Sequence, residues 1–257
     1  MKKITALIAA YNEEDRIGAC LESVEWADEI LLVDSFSTDR TVEIAREYGA
    51  RILQHEFVNI AAQINWAIPQ ASHEWILRLD ADERVSEALQ QSIRDLLASH
   101  PKETAYSIKR NNLFFGCELK HGHWGNDWIA RLFQRDHGRM EEYGCHGDLL
   151  LDKKPPKIQG ELIHLAYRSV DDYFQKFHQY TQEGAERLYR QKKPCSFTHL
   201  FFRPLWRFIH SYLIRLGFLD GVPGLAVCML SSFYVFTKYF ILWHLYLTHA
   251  ETKTRAA

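Results

Sequence analysis

Trp75-Ile76-Leu77-Arg78-Leu79-Asp80-Ala81-Asp82-Glu83 is the stretch on which the reading of this chain turns. Trp75–Leu79 is an apolar run broken by one arginine, and it reads as a buried strand. Alternation along an extended chain puts Asp80 and Asp82 on the same side, just past the strand end. Two hard carboxylates at one spot suit Mg²⁺ or Mn²⁺ that also holds phosphate oxygens. A solvated turn or a helix cap is the plainer alternative. Arg78 either contacts a phosphate or pairs with a carboxylate.

Working outward, Thr5–Ala9, Ile30–Val33 and Arg51–Gln54 read as further strands, and Glu13–Val24, Thr38–Tyr48, Ile60–Ala71 and Ser86–Ala98 as helices. This alternation predicts βαβ units around a largely parallel sheet. Such sheets bind ligands at the carboxyl ends of their strands. Polar residues follow those ends: Tyr11-Asn12-Glu13, Asp34-Ser35 and Asp80-Ala81-Asp82. Beyond residue 100, Tyr106–Phe115 and Arg131–Gln134 are predicted strands around a Gly, His and Trp-rich loop at 116–128. A helix is predicted from Ser169, with Asp171 and Asp172 in its first turn.

The 257 residues are 47% hydrophobic and 25% charged, which excludes a disordered, collagen-like or disulfide-scaffold chain. Charge is unevenly spread. Residues 1–100 carry nine Lys and Arg against 18 Asp and Glu, net −9, and the remainder carries 22 against 15, net +7. Cation or nucleotide chemistry in front and an anionic surface behind follow from that split. The five cysteines, Cys20, Cys117, Cys145, Cys195 and Cys228, show no paired spacing and read as reduced thiols of a cytoplasmic protein. Met1-Lys2-Lys3 and Ile4–Ala10 imitate a signal peptide, but the apolar run is only seven residues long and reads as a first strand. His121, His123, His146 and His164 fit no zinc spacing. No P-loop, dinucleotide fingerprint or nucleophile elbow is present.

From Ser196, Arg203, Arg207 and Arg215 lie near one stripe, and Trp206, Ile209, Leu213 and Leu216 on another. That is the pattern of a basic amphipathic, interfacial helix. Val222–Thr237 follows, sixteen residues without a charge, short of the roughly 20 that a span needs. Peripheral or re-entrant membrane contact is the expectation; a hairpin packed on the rest of the protein and a true span are the alternatives. Basic residues interleaved with an apolar tail, behind an acidic front half, argue against nucleic acid.

Ala9-Ala10-Tyr11-Asn12-Glu13-Glu14, Leu32-Val33-Asp34-Ser35-Phe36-Ser37-Thr38-Asp39 and Leu79-Asp80-Ala81-Asp82-Glu83 together resemble the family-two inverting nucleotide-sugar glycosyltransferases. Asn65-Trp66-Ala67, the His/Trp loop and the tail resemble their lipopolysaccharide-core glucosyltransferase branch. The resemblance implies an α/β fold of GT-A type, a mixed, mostly parallel sheet flanked by helices, with a C-terminal helical membrane-associating segment. It divides the chain into a GT-A domain at 1–194 (nucleotide-binding 1–100, acceptor and catalytic 101–194) and a membrane-associating region at 195–257. By the same resemblance Tyr11, Glu13, Asp34, Asn65, Arg78 and Asp80 bind the nucleotide sugar, with Tyr11 against uracil and Asp34 on base or ribose. Ser35 stands where the family often has a second Asp. Asp82, with His146 as a further candidate, binds Mg²⁺ or Mn²⁺. Asp127 in Asn126-Asp127-Trp128-Ile129-Ala130-Arg131 matches the family's general base, although Asn126 replaces its acidic neighbour. Trp124, Trp128 and Arg131 are acceptor-binding candidates.

The expected activity is inverting transfer of a hexose, with glucose from UDP-glucose favoured, to a lipopolysaccharide-core glycolipid at the cytoplasmic face of an anionic membrane. A glycosyltransferase acting on a polyprenyl phosphate or another surface glycan is the near alternative. A catalytically silent nucleotide-binding membrane scaffold is the distant one.

Overall fold

The computed structural model describes residues 2–141 and 149–255. These form two compact units, 1–111 with 127–165 and 112–126 with 166–257. The expected division at residue 194 therefore falls inside the second unit.

In the first unit, β1 (Ile4–Ala10), α1 (Glu14–Glu22), β2 (Glu29–Asp34), α2 (Thr41–Glu47), β3 (Arg51–Gln54), α3 (Ile60–Ala67) and β4 (Trp75–Asp80) alternate as the sequence predicts. There follow β5 (Glu83–Val85), α4 (Glu87–Ala98), β6 (Ala105–Phe114), whose last residues enter the second unit, β8 (Asp127–Gln134) and β9 (Lys157–Leu165). A two-residue strand, β7 (Cys117–Glu118), pairs with the end of β6. The sheet order is β3-β2-β1-β4-β8-β6-β9-β5. β3, β2, β1 and β4 are parallel, while β8 runs antiparallel to β4 and to β6.

The near-continuous apolar strands are explained by cover on both faces. Ile8, Leu32, Leu77 and Leu79 enter one core with Ile17 and Leu21 of α1 and Leu89 and Ile93 of α4. Their neighbours Leu7, Leu31, Val33 and Ile76 enter the other with Ile64 of α3. Two turns of chemistry hold the helices in register: Asn59 Oδ1 accepts from Ala62 N at 2.8 Å, and Ser86 Oγ accepts from Leu89 N at 3.3 Å. Gly160, at φ +88°, brings β9 so close to α4 that a Cβ there would lie 2.3 Å from Leu89 N. β5 and β9 are strands that hydrophobic periodicity does not announce.

The second unit is helical: α5 (Val170–Arg190), α6 (Phe197–Ile209) and α7 (Gly221–Arg255). Ser169 caps α5 as predicted, accepting from Asp172 N at 3.1 Å. α7 packs against α5 and α6, with Ser232 Oγ donating to Pro204 O at 2.7 Å. Residues Gly217–Thr248 are long and apolar enough to cross a membrane, with mean hydropathy 1.7 and only 22% of the most apolar window buried. Val222, Leu225, Met229, Phe233, Phe236, Phe240, Trp243 and Leu247 are all exposed, and their three- and four-residue spacing makes one continuous apolar stripe.

Candidate active site

Register brings the predicted acids together. Ala10 of β1 pairs with Asp34 of β2, and Ala9 pairs with Asp80 of β4. Asp34 and Asp80 therefore flank the carboxyl end of β1 from opposite sides. The loops after β1 and β2 are laced to each other. Asn12, in the left-handed region at φ 54°, donates from its backbone to Ser37 Oγ at 2.9 Å and accepts from Thr38 N at 2.8 Å. Glu13 N donates to Thr41 Oγ1 at 2.8 Å, and Glu14 N to Asp39 Oδ2 at 3.1 Å. Tyr11 is left exposed at this rim.

Asp34 is fully buried, and its carboxylate accepts from Ser37 N and from Gln54 Nε2 at 3.0 Å. It organises its own loop. Ser35 Oγ accepts from Gln63 Nε2 of α3 at 2.8 Å.

The Asp-Ala-Asp turn sits on a buried ionic lattice. Arg131 of β8, 3% exposed, donates from Nη2 to Asp80 Oδ2 at 2.5 Å and to Glu83 Oε1 at 2.8 Å. Arg78 Nη2 donates to Asp80 Oδ1 at 2.9 Å, and Asp80 N donates to Glu83 Oε2 at 3.1 Å. Burial alone would raise the Asp80 carboxyl; the Arg131 and Arg78 guanidiniums outweigh it and hold the group far below the usual carboxylate range. Arg131 is held charged despite its burial by Asp80 and Glu83. The Cys20 thiol lies beneath, donating to Asp80 O at 3.6 Å, and burial with the nearby carboxylates of Glu83, Asp82 and Asp80 pushes it up. It packs as an apolar group, not as a nucleophile.

Asp82 is treated differently. Its nearest cations among the described residues, Arg16 Nη1 and His164 Nε2, stand at 3.5 and 3.6 Å, longer than the roughly 2.7–2.9 Å of a tight charge-assisted pair. Asp127 begins β8 opposite Arg110 of β6. Arg110 Nε and Nη2 reach Asp127 Oδ2 at 2.8 and 2.7 Å, and Nη1 stands 3.6 Å from Glu83 Oε1. Glu83 thus lies between the guanidinium that holds Asp127 and the one that holds Asp80.

A model of the family described as Glycosyl transferase family 2 matches residues 5–148, the segment that carries Asp34, Asp80, Asp82 and Asp127. The chain belongs to glycosyl transferase family 2. An uncharacterized glycosyltransferase of Rickettsia typhi is 29% identical over 93% of this chain and 86% of its own length. A lipopolysaccharide core biosynthesis glycosyltransferase of Rhizobium meliloti, LpsC, is 27% identical over 91% and 89%. Among solved structures, a mannosyltransferase from Pyrobaculum calidifontis in complex with GDP-Man and Mn²⁺ superposes with a TM-score of 0.54 at 15% identity, covering 94% of this chain and 87% of its own. Glucosyl-3-phosphoglycerate synthase from Mycobacterium tuberculosis gives 0.51 at 17%, covering 76% and 82%. The glycosyltransferase has the GT-A fold that its motifs imply.

Several expected contacts of this glycosyltransferase are already engaged. Asn65 donates to Met140 O at 3.1 Å and accepts from Met140 N at 2.7 Å, so its amide clasps a backbone 75 residues away. Arg131, expected among acceptor contacts, is enclosed beneath Asp80. Trp128 lies under the Lys157 ammonium at 4.0 Å, while Trp124 belongs to the second unit, beside Phe114 and Tyr167. His146 lies outside the described residues. Arg16, Arg110 and Glu83 were not singled out from sequence. Glu83 stands within the quoted motif; the two arginines carry no local signal, because their partners are 17 to 66 residues distant.

Proposed function

We propose that this family-2 enzyme is an inverting hexosyltransferase that takes glucose from UDP-glucose and places it on a lipopolysaccharide-core acceptor at the cytoplasmic face of a membrane. The observation that carries the reading is the gathering, within one unit, of Asp34, Asp80 and Asp82 at the strand ends, with Arg131, Glu83 and Arg110 linking Asp80 to Asp127. Similarity to LpsC over nine-tenths of both chains supports the acceptor class.

The donor set fits a divalent cation shared with a diphosphate better than one caged by protein. Among the described residues no three His, Cys, Asp or Glu side chains converge as ligands. Asp82, with its loosely held carboxylate, would bind the ion, and Mg²⁺ characteristically uses one or two carboxylates plus phosphate oxygens. Bound there, Mg²⁺ or Mn²⁺ supplies charge neutralisation for the departing UDP. Asp80 cannot move freely to join it, because Arg78 and Arg131 grip both its oxygens; its role is to fix the turn that aims Asp82. Tyr11, exposed at the rim, would cover the uracil, and Glu13 and Asp34 would shape the nucleoside seat. Asp127 takes the acceptor hydroxyl proton as that oxygen attacks the anomeric carbon, and Arg110 sets its orientation. A single in-line displacement inverts the configuration.

The one-sided stripe of α7 supports peripheral attachment, its other faces being occupied by α5 and α6. UDP release and product configuration, measured with UDP-glucose, UDP-galactose, GDP-mannose and ADP-heptose against core glycolipid or polyprenyl phosphate, test the whole reading. Turnover confined to UDP-glucose with core glycolipid, giving the inverted anomer, is expected. Transfer to polyprenyl phosphate alone, or retention, overturns it.

A further inference from the structure

The second unit gathers two arginines and two histidines with no carboxylate paired to the arginines among the described residues. His210 Nδ1 lies 3.3 Å from His123 Nε2, with ring centroids 5.2 Å apart, and the Trp206 ring lies 5.8 Å from His210. Arg207 Nε is buried and has no hydrogen-bond partner. Arg207 and Arg215 both lower the proton affinity of His123, which burial and these charges together push down to about 4, and Arg215 acts in the same way on Arg207. Among the described residues no carboxylate pairs with either arginine. Asp220, the acid on the adjoining turn, is committed to His121, accepting from its backbone N at 2.8 Å and lying 2.7 Å from Nδ1.

Half-buried Arg207 and exposed Arg215 are like charges beside the His123 imidazole, and as they stand they repel. They become favourable when an anion enters, since guanidinium forks and ring N–H groups match phosphate oxygens. The surroundings say which kind of anion. Leu205, Trp206, Leu213 and Ile214, within a few residues of the two arginines, are all exposed. A soluble anion has no use for such a border, whereas an amphiphile places its charge and its chain at that boundary.

We propose that Arg207, Arg215, His123 and His210 form a binding site for the phosphate of an anionic membrane-lipid headgroup, one not already neutralised by a choline. This rests on the membrane-associated reading above and adds to it a specific anchor.

The test is flotation of the full chain with three kinds of vesicle: phosphatidylcholine alone, phosphatidylcholine with phosphatidylglycerol, and phosphatidylcholine given the same charge by oleate. The site predicts strongest binding to the phosphatidylglycerol vesicles. Arg207→Gln and Arg215→Gln should each weaken it about fivefold, the loss expected for one basic contact at an anionic surface. A Lys192→Gln/Lys193→Gln control, equal in charge to Arg207→Gln and Arg215→Gln combined, should change it by less than about twofold. Neither arginine variant should lower the melting temperature, because each removes a like-charge contact. Equal loss in the lysine control, or equal binding to oleate and phosphatidylglycerol vesicles, overturns the phosphate site while leaving membrane attachment standing. Displacement by millimolar inorganic phosphate overturns the lipid source. Absence of binding to every vesicle overturns membrane attachment and this site with it.

Discussion

The two units treat charge and apolar surface in opposite ways. In the first, Asp80, Glu83, Arg78, Arg110 and Arg131 are buried or half-buried and compensate one another, and most apolar side chains are sealed in two cores. In the second, Arg207 and Arg215 have no carboxylate among the described residues, and a line of Phe, Trp, Met and Leu side chains faces outward along α7. A surface of that kind, larger than scattered exposed residues require, marks an interaction face. The contrast teaches where each unit finds its missing partner. The sheet unit closes most of its apolar surface on itself; the helical unit leaves a whole apolar face open.

The strongest way to break the comparison is at the proposed base. Asp127→Asn should lower kcat by about 10²–10⁴-fold, the usual worth of a positioned general base, while nucleotide-sugar binding persists. Wild-type turnover in that variant removes the chemistry from this rim. Next comes the lattice: Arg131→Met strands Asp80 and Glu83 and should cost about 3–5 kcal/mol, toward the low end because Asp80 keeps some solvent. Urea unfolding would check it, and an unchanged midpoint would mean the carboxylates are not held by Arg131. A smaller contrast sharpens the difference in apolar surface. Leu77→Ala, in a sealed core, should cost about 2–5 kcal/mol. Phe236→Ser on the α7 stripe should stay within about 0.5 kcal/mol while reducing vesicle binding. Comparable losses at both would make the stripe an ordinary core.

The smallest effect is in pH. His123, facing Arg207, Arg215 and His210, has its folded value lowered to about 4, so the unfolded chain binds more protons between there and the ordinary histidine range near 6.5. Stability should therefore fall as pH drops through that window, and His123→Gln should flatten the slope. Asp80, lowered in the folded state, contributes stability that is present above the ordinary carboxylate range and lost only as pH falls beneath it. The two units thus weaken in acid at different stages, and a single transition below pH 4 would contradict that.

Legibility followed the same division. Strands β1 to β4 and the acids at their ends could be read because covered parallel strands are continuous apolar runs bounded by polar residues. β5 is hidden by its length of three residues, beginning at the last residue of the Asp-Ala-Asp-Glu motif, and β9 by Gly160 and its alternating polar residues. Asp127 falls within the predicted Gly-, His- and Trp-rich loop at 116–128, whereas it opens β8. The clasp of Asn65 on Met140 and the burial of Arg131 depend on partners far along the chain, which no local pattern records. The change of composition near residue 194 is real, yet α5 before it and α7 after it pack together, and packing rather than composition defines the unit.

The central claim is that the strand-end acids seat a sugar nucleotide with a cation on Asp82. Its most direct test is thermal unfolding with UDP-glucose, with and without Mn²⁺, on the wild type and on Asp82→Ala. At about 100 times its dissociation constant the donor should add about 2.7 kcal/mol, and at this chain length each kcal/mol raises the melting temperature by roughly 2–4 °C. The account predicts a Mn²⁺-dependent rise in the wild type that Asp82→Ala abolishes. An equal rise in both proteins, or none in either, would contradict it.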